Sequence, residues 1–453
     1  MSSNVKLLKI LKEYEICSTS TSILRNHPIV WAEAHGLEVT DVEGKKYLDL
    51  SSGSGVANIG HCHPHIVKTM VNQASSLIHT GWNFASIPRI LFLDKLKDKV
   101  PDELHHFMFA VTGSEGMETA LNLACFYTKK TQFAAFHGSF QGKTTGSLGL
   151  TSRTSFKTDV SPAVSVSTYF HYPNCYHCPF RLSSDSCKMF CVQHMEETLN
   201  LPSGGLENLA GIVVEPVQDS EGIVVPPVGF YKRLREMADR LHVPLIFDEL
   251  FTGMGRTGTF FAFEQEGIVP DILIFGKSIA GGLPLTIVAA RKEITTSFPS
   301  IRYNSTFSGH PLTAALGIAT LEIFEEEQLV ERSAKMGDYL VKELMQLQSI
   351  FSLIGQVRGK GLMIGVELVR DEAKTPAEEE AKLFVRKALE YGLILLSGGN
   401  QGNVLKIMPP LTLSKEQADQ IIQTFKRILI EIEEVQQIAE YSYSVALSSF
   451  CWL

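Results

Sequence analysis

Five short apolar runs restrict the fold of this chain more than any other feature of its sequence: "HFMFAV" (106–111), "TQFAAFHG" (131–138), "AGIVVEPV" (210–217), "VPLIFDEL" (243–250) and "DILIFGKS" (271–278). Each is too short and too rich in branched or aromatic residues for a buried helix. Nearly every position in them is apolar, as in a strand covered on both faces. Helical patterns lie between them, such as "GFYKRLREMADRLH", which places Phe230, Leu234, Met237 and Leu241 on one face. Strands alternating with amphipathic helices imply an α/β fold whose sheet is mostly parallel and covered by helices.

The flanks read differently. The first ~35 residues suggest a leading helix and a connector, and "GLEVTDVEGKKYLDLSSG" alternates around Asp41-Val42-Glu43-Gly44 as a hairpin does. Beyond "TFSGHPLTAALGIATLEIFEEE" come a long amphipathic helix through "LVERSAKMGDYLVKELMQLQ", strand-like "LIGQVRGKGLMIGVELV" and a closing helix "KEQADQIIQTFKRILIEIEEV". The expected division is an N-terminal segment, 1–60, joining a smaller domain; a large domain, 61–310; a C-terminal α+β domain, 311–440; and a tail, 441–453. The tail "YSYSVALSSFCWL" suits either disorder or docking on a neighbour.

Composition narrows the classes of function. A 453-residue chain with 44% hydrophobic and 20% charged residues can bury two or three domains. A net charge of −8 argues against nucleic acid and against a basic membrane-binding face. The opening "MSSNVKLLKILKEYEICSTS" lacks a signal-peptide core, and no uncharged apolar stretch reaches the ~20 residues needed to cross a bilayer. A cytoplasmic location is expected. Of eight cysteines, Cys175, Cys178, Cys187 and Cys191 cluster, with His177 and His194 nearby. A tetrahedral zinc site competes there with reduced loop thiols. The thiol reading is preferred, because the second pair is spaced more widely than in the usual knuckle.

The run at 243–250 opens onto Gly253-x-Gly255-x-x-Gly258, the spacing of a dinucleotide loop. That reading needs an acidic residue about twenty positions on, at the far end of the next strand. Asp271 instead precedes its apolar run. The other candidate is Asp248, at the end of the strand where open α/β sheets keep their ligands. Lys277 likewise ends an apolar strand, followed by the small residues Ser278, Ala280, Gly281 and Gly282. A lysine in a partly desolvated place favours its neutral amine, as Schiff-base chemistry requires. Thr112, Gly113 and Ser114 open a helix whose free amides and dipole suit an anion. A lysine, an acid for a pyridine nitrogen and a phosphate site are the three needs of pyridoxal phosphate (PLP).

In combination, "LDLSSGSGVANIGHCHP", "VTGSEGMETAL", "HGSFQGKTTGSLGLT", "VVEPVQ", "LIFDELFTGMGRTGTFFAFEQEGIVPDILIFGKSIAGGLPL", "NSTFSGHPL" and "LKIMPPLTL" resemble the class III, or ω-amino, aminotransferases of fold type I, from about residue 20 to 435. The resemblance implies a PLP-dependent transaminase in which Lys277 carries the cofactor as a Schiff base and shuttles the proton. Asp248 would pair with the pyridinium. Phe140 and Leu250 would cover the two ring faces, and Gly113 and Ser114 would hold the phosphate. Thr306 would reach the phosphate of a partner subunit, making a homodimer the minimal unit. Substrates would be an amino donor and a 2-oxo acid, with Ser54, Lys143 and Lys406 as contacts. Glu215 would be a hydrogen-bonding partner rather than a catalytic acid, and His61 and His63 would cap and pack.

Three departures fall on the substrate half of the site. Phe251 replaces a glutamine that bonds the ring oxygen in this family. Lys143 and Lys406 stand where arginines often bind carboxylates, keeping the charge without the fork. Ser220 replaces the glutamate that parks one of those arginines, with Glu221 one place beyond. As a first expectation, Lys143 and Lys406 act as point charges for a substrate anion, with 2-oxoglutarate a doubtful acceptor. The rival readings are a class III decarboxylase or racemase and a non-catalytic binding protein on the same fold.

Overall fold

The computed structural model describes residues 3–15, 27–153, 156–157, 167–201, 207–299 and 305–450, with backbone alone for 435–450. The hairpin expected around Asp41–Gly44 is present: β1 (Trp31–His35), β2 (Glu38–Asp41) and β3 (Lys46–Asp49) pair antiparallel in sequence. Gly44 makes the turn at φ +83°, a conformation that costs a glycine little.

The five apolar runs supply β4 (His106–Ala110), β5 (Gln132–Phe136), β7 (Leu209–Val214), β8 (Leu245–Asp248) and β9 (Ile272–Gly276). Two further strands, β6 (Ser167–Phe170) and β10 (Thr286–Ala290), complete a seven-stranded sheet in the order β4-β10-β9-β8-β7-β5-β6. Only β10 runs against its neighbours. The sheet is therefore mostly parallel, as expected.

Alternate residues of each strand enter two different cores. Phe136, Val214, Phe247 and Phe275 join the larger one, while Phe133, Val213, Ile246 and Ile274 pack under the helix Gly113–Thr128. Burial on both faces explains why these strands read as unbroken apolar runs. The shared direction of the strands turns every carboxyl end toward one edge of the sheet, apart from that of β10.

The C-terminal portion holds a second, smaller sheet. The stretch "LIGQVRGKGLMIGVELV" is a hairpin, β11 (Ile354–Lys360) against β12 (Met363–Leu368), turning at Gly361 with φ +51°. A two-residue strand, β13 (Leu393–Ile394), pairs parallel with β3, whereas β14 (Leu396–Gly398) and β15 (Val404–Ile407) extend the hairpin sheet in the order β11-β12-β15-β14. The N-terminal hairpin is thus stitched to the C-terminal part. The helix Leu329–Ile350 covers this sheet, whereas Pro311–Glu326 packs against the helices Pro64–Ser76 and Ile87–Lys97; the two are broken at Gln328 with φ +50°. The closing helix spans Lys415–Phe450, so the tail left open by sequence continues that helix as far as Phe450. Residues 451–453 lie outside the described chain.

Arg256 ties these parts together. Its buried guanidinium donates to the carbonyls of Leu362 and Pro409 and to the side chains of Asn58 and Ser52. Desolvation lowers its pKa to about 9.

Close packing yields a first stability prediction. Gly337, buried in the helix Leu329–Ile350, lies so near the hairpin turn that a methyl group there would overlap the Gly361 carbonyl. A backbone obstacle cannot rotate away. Gly337→Ala is expected to cost about 1–3 kcal/mol or more, as overpacking does. Urea unfolding should show a lower midpoint at an unchanged slope; an unaltered midpoint would mean that the turn gives way freely.

Candidate active site

The parallel strands deliver their chemistry at their carboxyl ends. Asp248 is the last residue of β8, Glu215 follows β7, Thr112 follows β4, and Lys277 follows β9. Lys277 adopts φ +51°, an uncommon conformation for a residue with a side chain.

Six of the residues picked out by sequence surround one cavity of about 220 Å³: Gly113, Ser114, Phe140, Asp248, Leu250 and Lys277. Thr112, Gln141, Gly142, Glu215, Val217 and Phe251 complete its wall. The Thr112 hydroxyl and carbonyl take the amides of Glu115 and Gly116, leaving those of Gly113 and Ser114 at the mouth of a 16-residue helix. Neither position tolerates crowding. A Cβ on Gly113 would meet the Leu250 side chain at 2.7 Å, and one on Gly142 would overlap the Ser114 hydroxyl.

Electrostatics are set by burial. Desolvation lowers Lys277 to about 7, against the pull of the Asp219 and Asp248 charges. Desolvation raises Asp248 to about 6, opposed by the Leu250 amide, which donates to it at 3.0 Å, and by Lys277. Glu215 is pushed well above the carboxylate range by burial and then by the Asp248 charge. It accepts the Phe140 amide at 2.9 Å, the hydrogen-bonding role expected of it. The amine is thus poised to be neutral, and an acid waits for a cationic partner. An anion-binding helix end and two apolar walls complete the set. Every part needed to hold PLP is present around one cavity.

The remaining sequence candidates lie outside that wall. Ser54 is exposed, with φ +65°, and Thr306 is exposed in the segment that Ser308 anchors to the Phe109 carbonyl at 2.8 Å. Lys143 is exposed too; its amide donates to the Ser114 hydroxyl at 3.2 Å, and its ammonium lies 4.8 Å from the Phe156 ring centroid. Lys406 departs from expectation. It is buried, and its ammonium is already paired with Asp219 at 2.7 Å, so it is not a free charge awaiting a substrate. Asp219 went unnoticed in the sequence. The available signal was an acid beside Ser220, in the motif that parks a cation elsewhere in the family. Phe251 stands between the two lysines: Lys277 Nζ lies over its ring, and Lys406 Nζ is 5.7 Å from its centroid.

The glycine loop has another task. Gly255 and Gly258, at φ +76° and +87°, back onto Phe324, Leu411 and Ala334, leaving no room for a pyrophosphate. Asp271 is occupied by Arg235, Arg291 and the Leu245 amide. His63 caps the helix Pro64–Ser76, and His61 bonds Asp49 at 2.9 Å. Cys175, Cys178, Cys187 and Cys191 line a separate cavity of about 200 Å³ as free thiols. Among the described residues, no group of three or more His, Cys, Asp or Glu side chains is arranged to hold a metal ion. Nor is any described helix long and apolar enough to cross a membrane.

Comparison with known proteins agrees with this geometry. The family model described as aminotransferase class-III matches residues 21–429. A leucine/methionine racemase from Thermococcus litoralis is 36% identical over 94% of this chain and 96% of its own. A diaminobutyrate–2-oxoglutarate aminotransferase from Rhizobium meliloti is 34% identical, covering 89% of this chain and 88% of its own. Among solved structures, an (S)-enantioselective ω-transaminase from Thermomicrobium roseum superposes with a TM-score of 0.88 at 30% identity, over 95% of this chain and 99% of that one. The fold is that of the fold-type-I enzymes, and the chain belongs to the class III aminotransferase family, as a pyridoxal-phosphate-dependent transaminase.

Proposed function

We propose that this site moves an amino group from an amino acid to a 2-oxo acid, with Lys277 as covalent anchor and proton carrier. The observation that carries this reading is the desolvated Lys277 amine beside Asp248, in a cavity walled by Phe140 and Leu250. When bound, PLP supplies an electron sink that makes the substrate Cα–H bond acidic. Lys277 Nζ, neutral above about pH 7, takes up the Cα proton and hands it on. Asp248 holds a proton on the ring nitrogen, its own position fixed by the Leu250 amide. The Gly113 and Ser114 amides bind the phosphate, and Glu215 fixes the Phe140 backbone so that its ring stays against the cofactor. Ser54 and Lys143, exposed outside the cavity wall, would meet the substrate only at its far end.

In this reading residues 61–310 carry the cofactor, while 1–60 and 311–440 form the smaller domain, a division supported by the pairing of β13 with β3. The working unit is a homodimer. Phe84, Ile87, Ile90 and Phe307 are each more than half exposed, an apolar surface suited to a second copy that would receive Thr306. The free thiols suit the cytoplasm.

Borohydride reduction and peptide mapping should place the cofactor on Lys277. A single turnover with an amino acid should release one equivalent of 2-oxo acid, and its rate should rise with pH to a plateau, half-maximal near pH 7. An amino acid that left no 2-oxo acid would remove the transfer reading.

One observation favours a second reaction at the same site. Among the described residues Asp219 Oδ1 is buried without a hydrogen-bond partner, and the Asp219 charge acts on Lys277. Inversion, the activity named for the Thermococcus litoralis relative, needs a second proton carrier on the other face of Cα. In D2O without any 2-oxo acid, inversion would yield the opposite enantiomer carrying α-deuterium. Transfer alone would not.

A further inference from the structure

The Lys406–Asp219 pair has consequences for which substrates fit, given the amino-acid chemistry proposed above. Lys406 lies on β15, opposite Gly365 and Leu396. Its stem is accommodated by Gly398, where a Cβ would approach the Lys406 Cδ to 2.7 Å. The ammonium therefore reaches Asp219 from a fixed direction. Asp219 sits in a tight turn closed by a bridge between Gln218 and Val224, and its carbonyl accepts the Gly222 amide at 3.0 Å. Arg358 clamps that turn from the small sheet, donating to the carbonyls of Gly222 and Ile223 at 2.7 to 3.1 Å. Residue exposures of 8% for Lys406 and 5% for Asp219 leave water little access to either partner.

A pair held this way is not readily opened. Drawing Lys406 onto a ligand carboxylate would strand Asp219 as a buried, unpaired charge, and would bring that ligand's own negative charge beside it. Phe251 fills the space between Lys406 and Lys277 with an aromatic ring. From these contacts we propose that Asp219 is a specificity-determining residue: by holding Lys406 neutralised, it restricts the site to amino acids and 2-oxo acids with uncharged side chains and rejects those with a second carboxylate.

Pentanoate and glutarate test this directly, since they share a five-carbon chain and differ by one terminal carboxylate. Each is titrated into the PLP-loaded enzyme and followed by the visible spectrum of the cofactor and by calorimetry. Neither ligand reacts, so the result does not depend on whether the enzyme transfers amino groups or inverts Cα. The wild type should bind pentanoate at least ~10-fold more tightly than glutarate. Asp219→Asn keeps the side-chain size but frees the ammonium, and should reverse that order. Asp219→Asn combined with Lys406→Met should cancel the reversal, showing that the freed charge causes it. Equal wild-type affinities, no binding of pentanoate, or an unchanged ratio in a folded Asp219→Asn enzyme would each overturn the proposal. Should Asp219→Asn fail to fold, the wild-type ratio alone decides.

Discussion

Lys277→Ala is expected to fold, to keep PLP only through noncovalent contacts, and to lose turnover by about 10⁴-fold or more. Folding should survive because, among the described residues, Lys277 is in no ion pair; its amine faces the cavity and the Phe251 ring. Burial opposes its charge, so removing it takes away a desolvated group rather than a supporting one. The Gly113–Ser114 helix end and Asp248 remain to hold the cofactor. On the proposed reading turnover would collapse because covalent attachment and proton transfer reside in one nitrogen, and proton transfer alone is worth about 10²–10⁴-fold. Mass spectrometry after borohydride treatment should find no cofactor-bearing peptide. A small added amine should restore part of the proton transfer without restoring the linkage. Appearance of the reduced cofactor on another lysine would reassign the anchor.

The sequence made the large sheet legible because burial on both faces leaves a compositional trace. Each of the five runs became a strand. β10 was harder to see. Its "TIVAA" looks like any buried strand, and nothing within it records that it runs against β9 and β4. Strand direction is set by the length and path of connections, which local pattern does not encode. The C-terminal hairpin illustrates the same limit at smaller scale. "LIGQVRGKGLMIGVELV" carries strand propensity throughout, and only Gly361 at positive φ splits it in two.

The cofactor half of the site was legible for a related reason. Lys277, Asp248 and the helix start at Thr112–Ser114 occur at ends of elements that the pattern already defines. Once parallel strands are inferred, their carboxyl ends must converge. The substrate half is built differently. Lys406 and Asp219 are separated by 187 positions and meet between β15 and the turn after β7, so each alone reads as a charged residue near a motif. Charge by itself suggested that Lys406 awaits an anion. The structure shows that the anion is a neighbour within the chain.

Asp248→Asn should act in opposite directions on the loaded and the cofactor-free enzyme. In the loaded enzyme, on the proposed reading, Asp248 would be the counter-charge for a protonated ring nitrogen. Breaking a buried pair by removing one partner costs about 3–5 kcal/mol, so PLP should be retained about 10²–10⁴-fold less tightly. With the ring nitrogen less able to hold its proton, Cα–H cleavage should slow, and a larger deuterium isotope effect should appear in single turnovers. In the cofactor-free chain, the same carboxylate is a buried group with, among the described residues, no cation to balance it beyond a lysine lowered to about 7. Its folded-state value of about 6 lies above the ordinary 3.8, so the folded state holds this proton more firmly than the unfolded state does. The contribution is present at low pH and is lost as pH rises from about 4 to 6, to the extent of about 3 kcal/mol. Asparagine cannot lose that proton, and its oxygen can still accept the Leu250 amide. Cofactor-free Asp248→Asn should therefore be more stable than the wild type at pH 8, with the difference vanishing below pH 4. Urea unfolding across that range, beside equilibrium dialysis of PLP, measures both signs. A variant that kept PLP as tightly as the wild type would show that Asp248 is not the partner of the ring nitrogen.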